Sequence, residues 1–282
     1  MRSIVSVVMM ILILTFPGYA FKPESQHQPI TRKALLLYQA CTGQSLAADL
    51  SEAFVEGSVA EDDLSIQRAV NWHFYNHGNT IGCYFLICRG ANDKIFQKRF
   101  DGLMRLMTEK KSGDRKIYEM AGRLAHHIQD MSAPPHVMPV YHVSDDRFDR
   151  YIPVSDPAVD VDRFCKAVSA APVAAPPELL ELAAQNTLSA VSRPVAFVPA
   201  RTVENETWLK FWGGPESFWL PGFKKYGEYG NVFGKAPPCD HPVCSFYNDK
   251  TYDLFFNECS LRAVADTVRV LFFLDQQRGL AR

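Results

Sequence analysis

Charge of one sign is what this chain lacks first: 30 Lys and Arg stand against 31 Asp and Glu in 282 residues, a formal net charge of -1 at pH 7. Without a long-range field to gather nucleic acid or an acidic membrane, binding must come from a local site. Convincing strand-like alternation of apolar and polar residues is also missing, as are internal repeats and low-complexity linkers. Their absence excludes a repeat architecture and points to one all-α domain. The apolar run from Ile4 to Phe16 is shorter than the ~20 residues a bilayer span needs, which argues against a membrane anchor. Arg2 precedes the run and Pro17, Gly18, Tyr19 and Ala20 follow it, the layout of a secretory signal over residues 1–20. Cleavage is expected after Ala20, leaving residues 21–282 as one secreted domain, extracellular or periplasmic; loss of Arg2 takes the charge to -2.

The seven cysteines lack two matched C-x-x-C knuckles, so bridges are expected in preference to a cysteine metal site. Cys83 and Cys88, like Cys239 and Cys244, are near enough in sequence to close small loops. Cys41, Cys165 and Cys259 then remain for one long bridge and one odd thiol, with the connectivity open.

With 47% hydrophobic and 22% charged residues the chain has a globular composition that argues against disorder. Helical spacing runs through Thr31 to Val59 and again from Ile95 to Leu106. Between Ile117 and Met131 it is clearest, with Ile117, Met120, Ala121, Leu124, Ile128 and Met131 on one stripe that Pro134 and Pro135 end. Pro177 to Leu188 and Thr251 to Leu274 also read as helices, the latter turning Leu254, Phe255, Leu261, Val264, Val268 and Leu271 inward. From Val195 to Cys244 the chain is rich in aromatics, Gly and Pro and has little period, so a long ordered excursion closed by a disulfide is expected.

The run LAHHIQDMSAPPH sets His126 and Asp130 four apart on one helix face, with His136 beyond the proline break. Two imidazoles and a carboxylate brought together suit zinc or a similar divalent ion. His127 is expected to point elsewhere. One histidine alone is more often an ordinary core or surface residue, but His126, His127, His136 and His142 fall within seventeen residues. Upstream, NWHFYNH offers His73 and His77, and VEGSVAEDD offers Glu56, Glu61, Asp62 and Asp63. Acidic runs are usually solvated faces; a hydrolytic centre nevertheless needs a carboxylate to orient or deprotonate water, and Asp62 is the candidate.

Taken together, these motifs resemble the family that contains bacterial zinc-dependent phospholipase C and the fungal zinc-dependent single-strand nucleases. His126-x-x-x-Asp130-x-x-x-x-x-His136 matches its central ligand spacing, HFYN at 73 to 76 resembles its upstream zinc segment, and GSVAEDD resembles the segment with its water-orienting aspartate. The resemblance covers about residues 21 to 151 and implies a compact multi-helix domain holding three zinc ions. It implies that the mature N-terminal residue, here Phe21, binds zinc through its own amine and carbonyl. His27, Asp130 and the Phe21 backbone would hold one ion; His73, His126 and Asp130 would hold the second, with Asp62 beside it. The third would use His136 and a later histidine–carboxylate pair. There the chain departs from the pattern: Asp149 fits the family's sequence context, but Asp145 stands where its histidine is expected. His142 with Asp146 keeps the His-x-x-x-Asp spacing, and His142, Asp146 and Asp149 would share a helix face.

The resemblance implies a secreted phosphodiester hydrolase, and because MSAPPHVMPVYH after Asp130 resembles bacterial secreted phosphatidylcholine-preferring phospholipases more than the nucleases, it implies preferentially a phospholipase C that cleaves phosphatidylcholine to diacylglycerol and phosphocholine. The expected partners are a phospholipid head group and a membrane surface, with no stable nucleic-acid partner and a monomeric state. Trp208, Trp212, Phe218, Trp219, Phe223, Tyr226 and Tyr229 either line a choline pocket or touch lipid, or pack the excursion onto the helices. The alternatives are a single-strand nuclease, which commonly adds a basic groove and stacking platforms, and a zinc-stabilised binding protein without turnover.

Overall fold

The computed structural model describes residues 26–62, 74–75, 81–84, 87–90, 92–109, 113–138, 140, 146–155, 158–170, 172–218, 222–238 and 240–279. The expected signal segment, Phe21, His73, His77, His142, Asp145 and Trp219 lie outside them. Helices dominate: α1 (His27–Thr42), α2 (Ala48–Ala60), α3 (Asn92–Thr108), α4 (Asp114–Asp130), the single turn α5 (Pro134–Val137), α6 (Val161–Ala170), α7 (Pro176–Ser192), the single turn α8 (Leu209–Trp212) and α9 (Asp249–Gln277). No helix among the described residues is long and apolar enough to cross a membrane.

Local chemistry sets several boundaries. Gly43 takes a left-handed φ of 70° after α1, returning its N–H to Gln39. Pro176 starts α7, where the Glu178 side chain accepts the Ala175 N–H at 3.3 Å. The Asn248 side chain caps α9 by accepting from Thr251 N–H at 2.9 Å. Pro134 and Pro135 do more than end a helix: α4 closes at Asp130, and the prolines open α5, which carries His136.

Two expectations need correction. Ile81–Tyr84 and Ile87–Gly90 pair as a small antiparallel hairpin with Cys83 opposite Cys88; the segment IGCYFLICRG hides it because its apolar run never alternates. On α9, Phe255, Val264, Val268 and Leu271 are buried, but Leu254 is 48% exposed. A helix turns about 100° per residue, which puts Leu254 off the stripe that Phe255 occupies, and Leu261 is only half-buried.

Chain crossings then build the core. Helices α2 and α4 meet backbone to backbone at Gly57 and Gly122: a Cβ on Gly57 would lie 2.0 Å from the Glu119 carbonyl oxygen, and one on Gly122 would lie 2.1 Å from that of Phe54. Only glycine permits this approach. A disulfide joins Cys41 at the end of α1 to Cys165 in α6. Cys244 is also disulfide-bonded, and Cys259 is the buried free thiol. The excursion packs its rings onto α9: Trp208 stacks on Phe255 at 4.2 Å between centroids, and Phe233 meets Tyr252 at 4.8 Å. Its Trp208, Trp212, Phe223 and Tyr229 are buried, as packing of the excursion onto the helices requires, whereas Phe218 is 83% exposed.

Candidate metal centre

Four of the expected residues converge where α1, α2 and α4 meet. His27 opens α1, Asp62 follows α2, and His126 and Asp130 share the last turns of α4. All four are buried or nearly so. The two imidazole rings stack with centroids 4.0 Å apart. Asp130 straddles them, with Oδ1 3.3 Å from His27 Nε2 and Oδ2 3.3 Å from His126 Nε2. Asp62 straddles the same pair at 3.7 and 3.8 Å.

Hydrogen bonds on the far side of each ring decide which nitrogen faces the carboxylates. His126 Nδ1 lies 2.8 Å from the Ser58 carbonyl oxygen, which can only accept, so Nδ1 carries the proton. For His27 the chain of logic is longer. Thr267 spends its hydroxyl proton on the Ala263 carbonyl and must therefore accept from Gln129 Nε2 at 2.9 Å. That orients the Gln129 amide with Oε1 toward His27 Nδ1, 2.7 Å away, and Thr31 Oγ1 accepts a second amide proton. Both rings thus present Nε2 to two carboxylates. A neutral imidazole would set a lone pair against negative oxygen, so the geometry calls for positive charge between them, as protons or as metal ions.

The titration behaviour points the same way. For Asp130, burial alone would raise the pKa, but the His126 and His136 charges and hydrogen bonds from His126 and His27 outweigh it and hold the carboxyl well below its usual range. For His27, burial opposes the charged ring, yet Asp130 and Asp62 prevail and raise its pKa. One donor atom each from His27, His126 and Asp130 lies within 4.8 Å of the others, so this group could hold a metal ion.

Comparison with protein-family models, with curated proteins and with solved structures finds no match. The chemistry of this centre therefore stands on its own residues.

A second pair lies beyond the end of α4. His136 Nε2 is 3.8 Å from Asp149 Oδ2, and both side chains are buried. Residues 147–150 form turns instead of the expected helix, so the supposed shared face of Asp146 and Asp149 does not exist. Asp146 accepts from Phe148 N–H at 2.7 Å and from Trp212 Nε1 at 3.1 Å. It supports the turn that delivers Asp149 to His136. From the upstream HFYN segment, Tyr75 donates its N–H to the His136 carbonyl at 2.7 Å, which ties that segment to the second pair.

His127 does point elsewhere, with Nε2 3.9 Å from Glu61. Glu61 is clamped by Arg99 Nε at 3.0 Å and Arg123 Nη1 at 2.6 Å. Burial is outweighed by the His127 and Arg99 charges and the hydrogen bond from Arg123, which hold its carboxyl far below the usual range. The clamp anchors the residue before Asp62, so within the acidic run Glu61 and Asp62 have separate tasks, while Glu56 is exposed beside Arg115 and Asp63 lies outside the described residues. Sequence reasoning missed Gln129, Ser58 and the Gly57–Gly122 crossing. Gln129 is a buried polar residue beside Asp130, off the apolar stripe of Ile117, Met120, Ala121, Leu124, Ile128 and Met131.

Proposed function

We propose that the chain is a secreted zinc metallohydrolase that cleaves phospholipid phosphodiester bonds, acting as a phospholipase C on phosphatidylcholine. The observation that carries this reading is Asp130 spanning two imidazoles whose Nδ1 protons are already committed. Two donors about 2.0–2.1 Å from a tetrahedral zinc stand roughly 3.3 Å apart, and both histidine-to-Asp130 separations are 3.3 Å. Asp62 faces the same two Nε2 atoms at 3.7 and 3.8 Å, but the donor atoms that all lie within 4.8 Å of one another are those of His27, His126 and Asp130, so Asp62 is assigned to the attacking water.

Zinc bound here lowers the pKa of water toward neutrality and polarises a phosphoryl oxygen. The chain's own part is to hold His27 and His126 with Nε2 inward, to bridge them with Asp130, and to place Asp62 where it accepts a proton from an attacking water. His136 and Asp149 are the residues for a third ion, with His142 as the further histidine. Phe21 and His73 complete the first two positions in the proposed scheme. Secretion is supported by the Cys41–Cys165 bridge, which persists in oxidising compartments, and by the signal-like residues 1–20.

Lipid is favoured over nucleic acid because the near-neutral chain lacks a basic excess and because Trp208, Trp212 and Tyr229 are buried and cannot stack bases. The test is metal analysis and N-terminal sequencing of the mature protein, followed by parallel assays on p-nitrophenylphosphorylcholine, phosphatidylcholine vesicles and single-stranded DNA. Bound zinc, an N-terminal Phe21 and release of phosphocholine are expected. Nucleotide release alone would establish the nuclease reading, and bound zinc without any turnover would establish a binding protein.

A further inference from the structure

The three most exposed large apolar side chains among the described residues are Phe218, Ile152 and Val154, at 83%, 79% and 77%. Ile152 and Val154 share with Asp149 the segment that faces His136, and the loop of Phe218 is tied to the chain just past His136. Ile152 and Val154 lie three and five residues after Asp149. Phe218 follows Glu216 in a loop whose Lys224 bridges both Glu216 and Val140, four residues past His136. The loop is closed by Ser217 N–H to Phe223 O at 2.8 Å and Lys225 N–H to Pro215 O at 2.9 Å.

Their exposure is enforced. Buried Asp253 accepts from the Tyr151 hydroxyl at 2.7 Å and from Val154 N–H and Ser155 N–H at 3.0 Å each. This pins the backbone on which Ile152 and Val154 stand. Exposed Arg147 and Arg150 precede them, and exposed Lys225 and Glu216 flank Phe218. Apolar prongs beside mixed, mildly cationic charge match the acyl boundary and phosphate layer of a zwitterionic bilayer.

We propose that Ile152, Val154 and Phe218 dock the protein onto a phosphatidylcholine surface and bring the metal centre to the lipid head group. This rests on the phospholipase reading. The test is sedimentation with phosphatidylcholine vesicles of the protein and of Ile152→Asp, Val154→Asp and Phe218→Asp. A control is Leu36→Asp on α1, where Leu36 is 68% exposed. Each of the three is expected to weaken vesicle binding about tenfold, with unchanged circular dichroism and unchanged hydrolysis of p-nitrophenylphosphorylcholine. The Leu36 variant is expected to bind as the parent does. Failure of the parent to sediment, or an equal loss at Leu36, overturns the docking surface. Hydrolysis of the soluble substrate without sedimentation sinks only the docking, whereas sedimentation without hydrolysis sinks only the phospholipase reading.

Discussion

The candidate metal centre and the aromatic excursion are both buried, yet they are stabilised by opposite means. Around Trp208, Phe211, Trp212 and Phe233 the rings meet edge to face or tilted, with Trp208 stacked on Phe255 of α9. That region follows apolar burial and ring geometry. At His27, His126, Asp62 and Asp130 the same depth encloses ionisable groups, whose desolvation must be offset by hydrogen bonds and by charge supplied between them. A region of the first kind tolerates apolar substitutions that conserve its volume; the second depends on the placement of single atoms.

The sharpest break of that contrast is His126→Ala. Hydrolysis of p-nitrophenylphosphorylcholine is expected to fall on the order of a thousandfold, with helical circular dichroism retained. Full activity in this variant would remove the centre from the chemistry. Trp208→Ala is the mirror experiment: denaturant unfolding is expected to show a loss of about 4 kcal/mol, while zinc content of the protein that remains folded stays the same. A metal-binding defect equal to that of His126→Ala would mean that the two regions are not separate.

Gln129→Leu refines the comparison, because it removes the amide that orients His27 and leaves every proposed ligand in place. Zinc affinity, measured by competition with a chelator, is expected to drop about 10- to 100-fold. The smallest effect concerns pH. In metal-free protein the raised pKa of His27 contributes stability below 6.5 that is lost as pH rises through the folded value. Zinc needs the same Nε2 without its proton, so the thermal shift on adding zinc is expected to be a few degrees larger at pH 8 than at pH 6. A shift independent of pH would separate the ion from His27.

Much was legible before any folding. The period of 3.6 from Ile117 to Met131 marks α4, and the spacing of four puts His126 and Asp130 on one face, because both are properties of a single helix. The missing strand alternation foretells an all-α protein, though the hairpin at 81–90 is too short and too uniformly apolar to register. The Pro134–Pro135 break and the capping signals at Gly43 and Pro176 are local for the same reason.

What no window of sequence contains is partnership between distant segments. Motif resemblance proposed the company of His27 and Asp62, but the opposition of their atoms to His126 and Asp130 follows from glycine contact at the α2–α4 crossing and from α1 packing beside it. The approach of Asp149 to His136 follows from a turn that replaces the expected helix, and the Cys41–Cys165 bridge from helices 124 residues apart along the chain. Gln129 becomes an orienting residue only because Thr267, on α9, has already given its proton to Ala263. Periodicity is written into neighbouring residues, whereas the tautomer of a buried histidine is set by hydrogen bonds that only packing brings together.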